Sequence, residues 1–140
     1  MIELFFEDVL EFNLSVDDIN IWLTGVCVSE NKFLGDVNII FCSDEYLLQM
    51  NIEHLNHDYF TDVITFDYSE HDSISGDLFI SIDRVKENAL DFNTIFNHEL
   101  LRVIVHGVLH LLGYKDKSEE DILLMRSKEN FYLVSVNLDF

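Results

Sequence analysis

Between residues 62 and 131 the spacing of the apolar residues changes once, and that change limits the fold more than any other feature of the chain. DVITFDY (62–68) and GDLFISI (76–82) are rich in β-branched and aromatic residues, as strands are. The polar stretch SEHDSIS joins them, which predicts an antiparallel hairpin. Beyond residue 82 the apolar residues recur with helical spacing over about 83–91, 94–112 and 118–131, the period of 3.6 that marks a helix. Ser118 with Asp121 three residues on resembles a capping box with Asp in place of Glu.

The first half of the chain alternates in type. IELFFED reads as an opening strand and DVNIIFCS (36–43) as another. From Asp17 to about Glu30, Ile19, Ile21, Trp22, Val26 and Val28 follow helical spacing, with Ser15 or Asp17 as the cap. Ser43 before Asp44 and Glu45 opens a helix through Leu47, Leu48 and Leu55. The tail FYLVSVNLDF fits either an extension of the last helix or a short strand. Four strands with helices before, between and after them predict an α/β (α+β) fold: one domain over 1–140, a mixed sheet covered by helices.

With 140 residues, 49% hydrophobic and 12 of them Phe, the chain has material for one sizeable core. No apolar run reaches the roughly 18 residues of a membrane span. MIELFFEDVLEF is acidic and lacks a basic n-region, so it does not read as a signal peptide. A cytoplasmic protein is the expectation. Cys27 and Cys42 sit in apolar contexts without CxxC spacing and are expected as buried, reduced thiols. The formal charge of −19 opposes non-specific nucleic-acid binding, which depends on cationic side chains displacing counterions. It fits solubility, cation recruitment or a basic protein partner.

The chemistry concentrates in HGVLHLLGYKD (106–116). Residues four apart project from one face of a helix, so His106 and His110 can reach one ion. Gly113 falls where helices commonly stop, and a turn there swings residue 116 back toward the same ion. Three protein ligands on zinc leave a coordination position for water, whose pKa the ion lowers to about 7. Two histidines at this spacing also occur as ordinary core residues of an apolar helix. The protease version of the motif carries a glutamate general base after the first histidine. That position is Gly107, which counts against a peptidase.

HGVLHLLGYKD resembles the H-G-x-L-H-L-x-G-Y-D-H signature of the YbeY family, bacterial endoribonucleases of ribosomal RNA maturation. MNIEHLNHDYFTDVITFDY (50–68) is similar to that family's middle segment at Asn51, Thr61, Asp62, Val63 and Phe66, and SGDLFIS (75–81) at Gly76 and Asp77. The resemblance implies a compact α/β domain and one Zn²⁺ held by His106, His110 and the residue at 116, which are also the catalytic set. It further implies cleavage of single-stranded rRNA, 16S rRNA 3′-end maturation, ribosome quality control and the ribosomal small subunit as partner, and the acidic charge fits a basic ribosomal protein as well.

The chain departs from the pattern in four places. Asp116 stands where the family has its third histidine, and Lys115 where it has aspartate. Leu55 replaces an arginine thought to serve catalysis or RNA contact, and Phe60 replaces the proline before Thr61. Aspartate ligates zinc at about 2.0–2.2 Å, but its charge weakens the ion's pull on water.

Other side chains have two readings each. His98 fits a supporting position or an ordinary one, Glu99 a base or a solvated face. His54 and His57 fit the cleft or the surface, and Asp62 and Asp77 the site or turn capping. Arg84, Arg102, Arg126, Lys115, Lys117 and Lys128 surround the motif in sequence, as a phosphate-binding rim or as partners of nearby acids. The expectation is a zinc-dependent single-strand endoribonuclease. A zinc metallopeptidase and a non-catalytic, metal-containing ribosome-assembly factor are the alternatives.

Overall fold

Serine hydroxyls open four of the five helices in a computed structural model that describes residues 1–134 and 136. Ser15 Oγ accepts from the Asp18 amide at the start of α1 (Val16–Ser29). Ser43 does so for Tyr46 at α2 (Asp44–Leu55), and Ser81 for Arg84 at α3 (Ile82–Asp91). Ser118 Oγ accepts from the Asp121 amide at α5 (Glu119–Val134), with Glu119, Glu120 and Asp121 in its first turn. Each hydroxyl satisfies an amide that the helix leaves without a partner, and the acids favour the positive end of the helix dipole. The remaining helix, α4 (Phe96–Leu111), has no side-chain cap and is held by burial instead.

Four strands, β1 (Ile2–Phe6), β2 (Phe33–Cys42), β3 (Val63–Asp67) and β4 (Ser73–Ser81), form one mixed sheet in the order β1-β2-β4-β3. β1 and β4 pair parallel to β2, whereas β3 pairs antiparallel to β4 as the predicted hairpin. The fold is thus a single compact α+β domain with helices on both faces of the sheet. Val37, Ile39, Phe41, Leu78 and Ile80 point from one face into the main core with α1 and α4. Cys42, Ile64, Phe66 and Phe79 turn to the other face and pack with Leu47 of α2. That alternation is the period-two geometry of strands.

The central element is α4. Leu100, Leu101, Val103, Ile104, Val105, Val108, Leu109 and Leu111 are all buried, each worth about 1.5–3 kcal/mol relative to exposure. Gly107 sets how closely this helix approaches the sheet, since a Cβ there would lie 3.0 Å from both Leu78 methyl carbons. The elements match the expected ones to within a few residues at their ends. α5 continues through Val134, so the first part of the tail extends the helix. Residues 135 and 137–140 lie outside the described residues. Cys27 and Cys42 are free and buried, and burial pushes their thiols up to about 11 and about 12. Among the described residues, no helix is long and apolar enough to cross a membrane.

Candidate metal centre

The end of α4 brings three ligand atoms together. The Gly113 amide donates to the His110 carbonyl at 3.0 Å and the Tyr114 amide to the Leu109 carbonyl at 3.0 Å. This pair of bonds is the Schellman closure of a helix C-terminus. It requires the left-handed backbone that Gly113 adopts at φ 105° and that glycine tolerates at little cost. The chain reverses there and returns Asp116 beside the helix. His106 Nε2 and His110 Nε2 lie 3.0 Å apart, and Asp116 Oδ2 lies 3.4 and 3.3 Å from them.

These three residues form a group that could hold a metal ion. The two separations to Asp116 fit the donor set, since at about 2.0–2.2 Å from zinc two corners of a tetrahedron lie about 3.3–3.6 Å apart; the Nε2 pair, at 3.0 Å, is slightly closer.

The opposite nitrogen of each imidazole is already engaged. His106 Nδ1 is 2.7 Å from Glu129 Oε2, and His110 Nδ1 is 3.0 Å from the Tyr114 carbonyl oxygen. A proton on each Nδ1 satisfies both bonds and leaves both Nε2 lone pairs facing Asp116, the tautomer a metal ligand needs. Glu129, buried on α5, also accepts from Arg102 Nη1 at 2.9 Å. Burial pushes the Glu129 carboxyl up, but the His106 and Arg102 hydrogen bonds outweigh it and hold the group below its ordinary value. Burial pushes the His106 imidazole down. The bond to Glu129 and the charges of Glu129, Asp62 and Asp116 outweigh that and raise it.

Glu129 is the residue that sequence reasoning missed. Its one legible signal is helical spacing from Met125 and to Leu133, both buried on α5.

The secondary candidates divide. Asp62 and Glu99 line a cavity of about 300 Å³ beside His106, and burial pushes both carboxyls up. His57 lines a second cavity, of about 330 Å³, beside His110. His54 is exposed and meets Phe66 edge to face. His98 is exposed and lines neither cavity, and Asp77 accepts from Asn38 across the sheet. Arg84 pairs with Asp44, Arg102 with Glu129 and Lys128 with Glu30, so these three cations are partners of acids. Arg126 reaches Glu129 at 3.5 Å and lines the first cavity, Lys117 lines the second, and Lys115 is exposed and lines neither. Leu55 lines the second cavity with an apolar side chain. A glutamate in place of Gly107 would press on the Leu78 methyls, which would have to give way.

Fold and site together define a class: small α+β proteins with a His-His-Asp group that could hold a metal ion between two cavities, an arrangement suited to metal-assisted hydrolysis. Within that class the chain belongs to the Endoribonuclease YbeY family, which it matches over residues 8–137. The Endoribonuclease YbeY proteins of Flavobacterium johnsoniae and Flavobacterium psychrophilum are 58% and 61% identical to it over 109 residues, 78% of each chain. The solution structure of a Thermotoga maritima protein is similar with a TM-score of 0.66 and 29% identity, covering 97% of this chain and 89% of the other.

Proposed function

We propose that the chain, acting as one domain over residues 1–140, is a zinc-dependent endoribonuclease that cuts single-stranded RNA, with His106, His110 and Asp116 as ligands and catalytic set. One observation carries the metal assignment. Two Nε2 atoms and a carboxylate oxygen converge within 3.0–3.4 Å while both Nδ1 atoms are bonded elsewhere. The reaction class follows from the family, whose members named above are called endoribonucleases. The substrate within this reading is rRNA, in 16S rRNA 3′-end maturation and ribosome quality control, in the cytoplasm and on the small subunit.

Zn²⁺ bound at this group supplies a Lewis acid for a phosphoryl oxygen and lowers the pKa of water from about 15.7 to about 7. The chain's own part is to hold geometry. Glu129 and the Tyr114 carbonyl fix the imidazole planes, Arg102 fixes Glu129, and the Gly113 turn holds Asp116 in place. Asp116 brings a negative charge to the ligand set, which favours cation retention and tempers the ion's electrophilic strength. With Leu55 lining the cavity beside His110, phosphate contact on that side falls to Lys117. The same leucine favours the second reading, a metal-containing assembly factor that binds rRNA without cutting it.

Metal analysis of purified protein tests the site: wild type should carry about one zinc, and the His106→Ala/His110→Ala double variant should carry none. Equal zinc in both would remove the assignment. Metal-loaded protein incubated with single-stranded rRNA then separates the two readings. Metal-dependent cuts mark the enzyme, and binding without cuts marks the assembly factor.

A further inference from the structure

The metal group lies at the boundary of two cavities, and Asp116 lines both. Their volumes, about 300 and about 330 Å³, stand at the lower end of small-ligand sites, roughly 300–1,000 Å³. Each contains the same three kinds of group. On the His106 side, Phe92 is 58% exposed, the Arg126 guanidinium carbon lies 5.9 Å from its ring centroid, and Asn88 stands nearby in the lining. On the His110 side, Tyr59 is 56% exposed and stacks on His57 at 5.1 Å with the planes 21° apart. Lys117 and Asn51 share that lining.

We infer that these are two base-stacking platforms, one on each side of the metal group, that seat neighbouring bases of a single strand so that the phosphate between them meets the metal. The inference rests on the RNA reading above and extends it by naming how the strand is held. Three observations carry it. Several rings of the chain are exposed, and among them Phe92 and Tyr59 are the ones that line the two cavities sharing Asp116. Each ring is paired with a planar or cationic neighbour, which leaves it oriented before any ligand arrives. The chain's charge of −19 repels a phosphate backbone, so affinity must come from the uncharged base faces. Stacking on aromatic side chains is worth about 1–3 kcal/mol per base and depends little on sequence. Arg126 and Lys117 then need only neutralise the phosphates closest to the metal.

The test is fluorescence anisotropy of the metal-loaded full chain with short labelled 2′-O-methylated single strands, shown by gel to be intact after the titration. One carries bases throughout, and one has the same backbone with abasic sites. Wild type should bind the base-bearing strand more tightly. Phe92→Ala and Tyr59→Ala should each weaken it by about 5- to 150-fold, the factor that 1–3 kcal/mol sets. Phe92→Trp should restore binding, and none of these changes should alter zinc content or melting midpoint.

Equal binding of the two strands by wild type would overturn the platforms even if an alanine variant failed to fold, and so would Ala variants that bind like wild type. RNA cleavage measured in parallel separates this inference from the one beneath it. Base-dependent binding without cuts sinks the endoribonuclease reading and keeps the platforms. Cuts that are indifferent to both rings do the reverse.

Discussion

Two buried or half-buried glutamates tie α5 to the rest of the domain, and they are built differently. Glu129 is 4% exposed, and its partners are an imidazole, His106, and two guanidinium groups, Arg102 at 2.9 Å and Arg126 at 3.5 Å. Glu30, at the C-terminal end of α1, accepts from the Tyr114 hydroxyl at 2.6 Å, from Lys128 Nζ at 3.2 Å and from the Tyr132 hydroxyl. A buried ion pair seldom adds net stability over apolar side chains of similar size, because desolvation offsets the attraction. Glu129 therefore makes physical sense as a support for a ligand. The Glu30 cluster joins neutral phenols and one ammonium at the rim, where desolvation is milder, and it braces the turn that carries Tyr114. One carboxylate orients an imidazole, and the other fixes where a helix and a turn meet.

The largest expected effect comes from removing the first. Glu129→Ala leaves the half-buried Arg102 with only Asn130 at 2.9 Å and Glu99 at 3.8 Å, leaves His106 Nδ1 without its carboxylate, and should cost about 3 kcal/mol in urea unfolding. It should also lower zinc affinity about 10- to 100-fold in a chelator competition, the usual consequence of losing a ligand's partner.

Glu30→Ala should cost less, about 1–3 kcal/mol, because the groups left behind are two neutral hydroxyls and a lysine a third exposed, and no guanidinium. Its zinc affinity should fall by less than that of Glu129→Ala. Equal losses in the two variants would mean that the glutamates act as one network.

The smallest effect is a pH dependence. Burial raises the Glu30 carboxyl, but hydrogen bonds from Tyr114, Tyr132 and Lys128 outweigh it and hold the group below 4.5. A carboxylate with a depressed folded-state pKa stabilises fully above its unfolded value and loses that contribution as pH falls through the folded one. The stability gap between wild type and Glu30→Gln should therefore be full at neutral pH and shrink below about pH 4.5. A gap that held constant to pH 3 would exclude the carboxylate as its source.

The contrast also marks what the sequence made legible. The helix and turn of the motif, the caps Ser15, Ser43 and Ser118 and the β3–β4 hairpin are local, decided by residues within a few positions of one another, and they stand where they were expected. Pairing β1 and β4 with β2 joins distant segments and leaves no local mark. Glu129 was hidden for a sharper reason. It is one of 27 acidic residues, and its helix carries apolar residues that do not report the buried face: Leu123 and Leu124 are 72% and 48% exposed. A reading by hydrophobic spacing puts those leucines inside and an acid outside. The His106 Nδ1 atom, which needs a partner on the neighbouring helix, imposes the opposite arrangement.

The three side chains proposed to hold the ion fall within eleven consecutive residues, 106 to 116, whereas Glu129 arrives thirteen residues later on another helix. An extended chain already carries every donor atom, so a metal ion has some affinity for it, and mass action on the folded state is weakened accordingly. What folding adds is grip. Only when α5 docks does a carboxylate lock the first imidazole, so the lifetime of a bound ion becomes a measure of how often the last helix lets go.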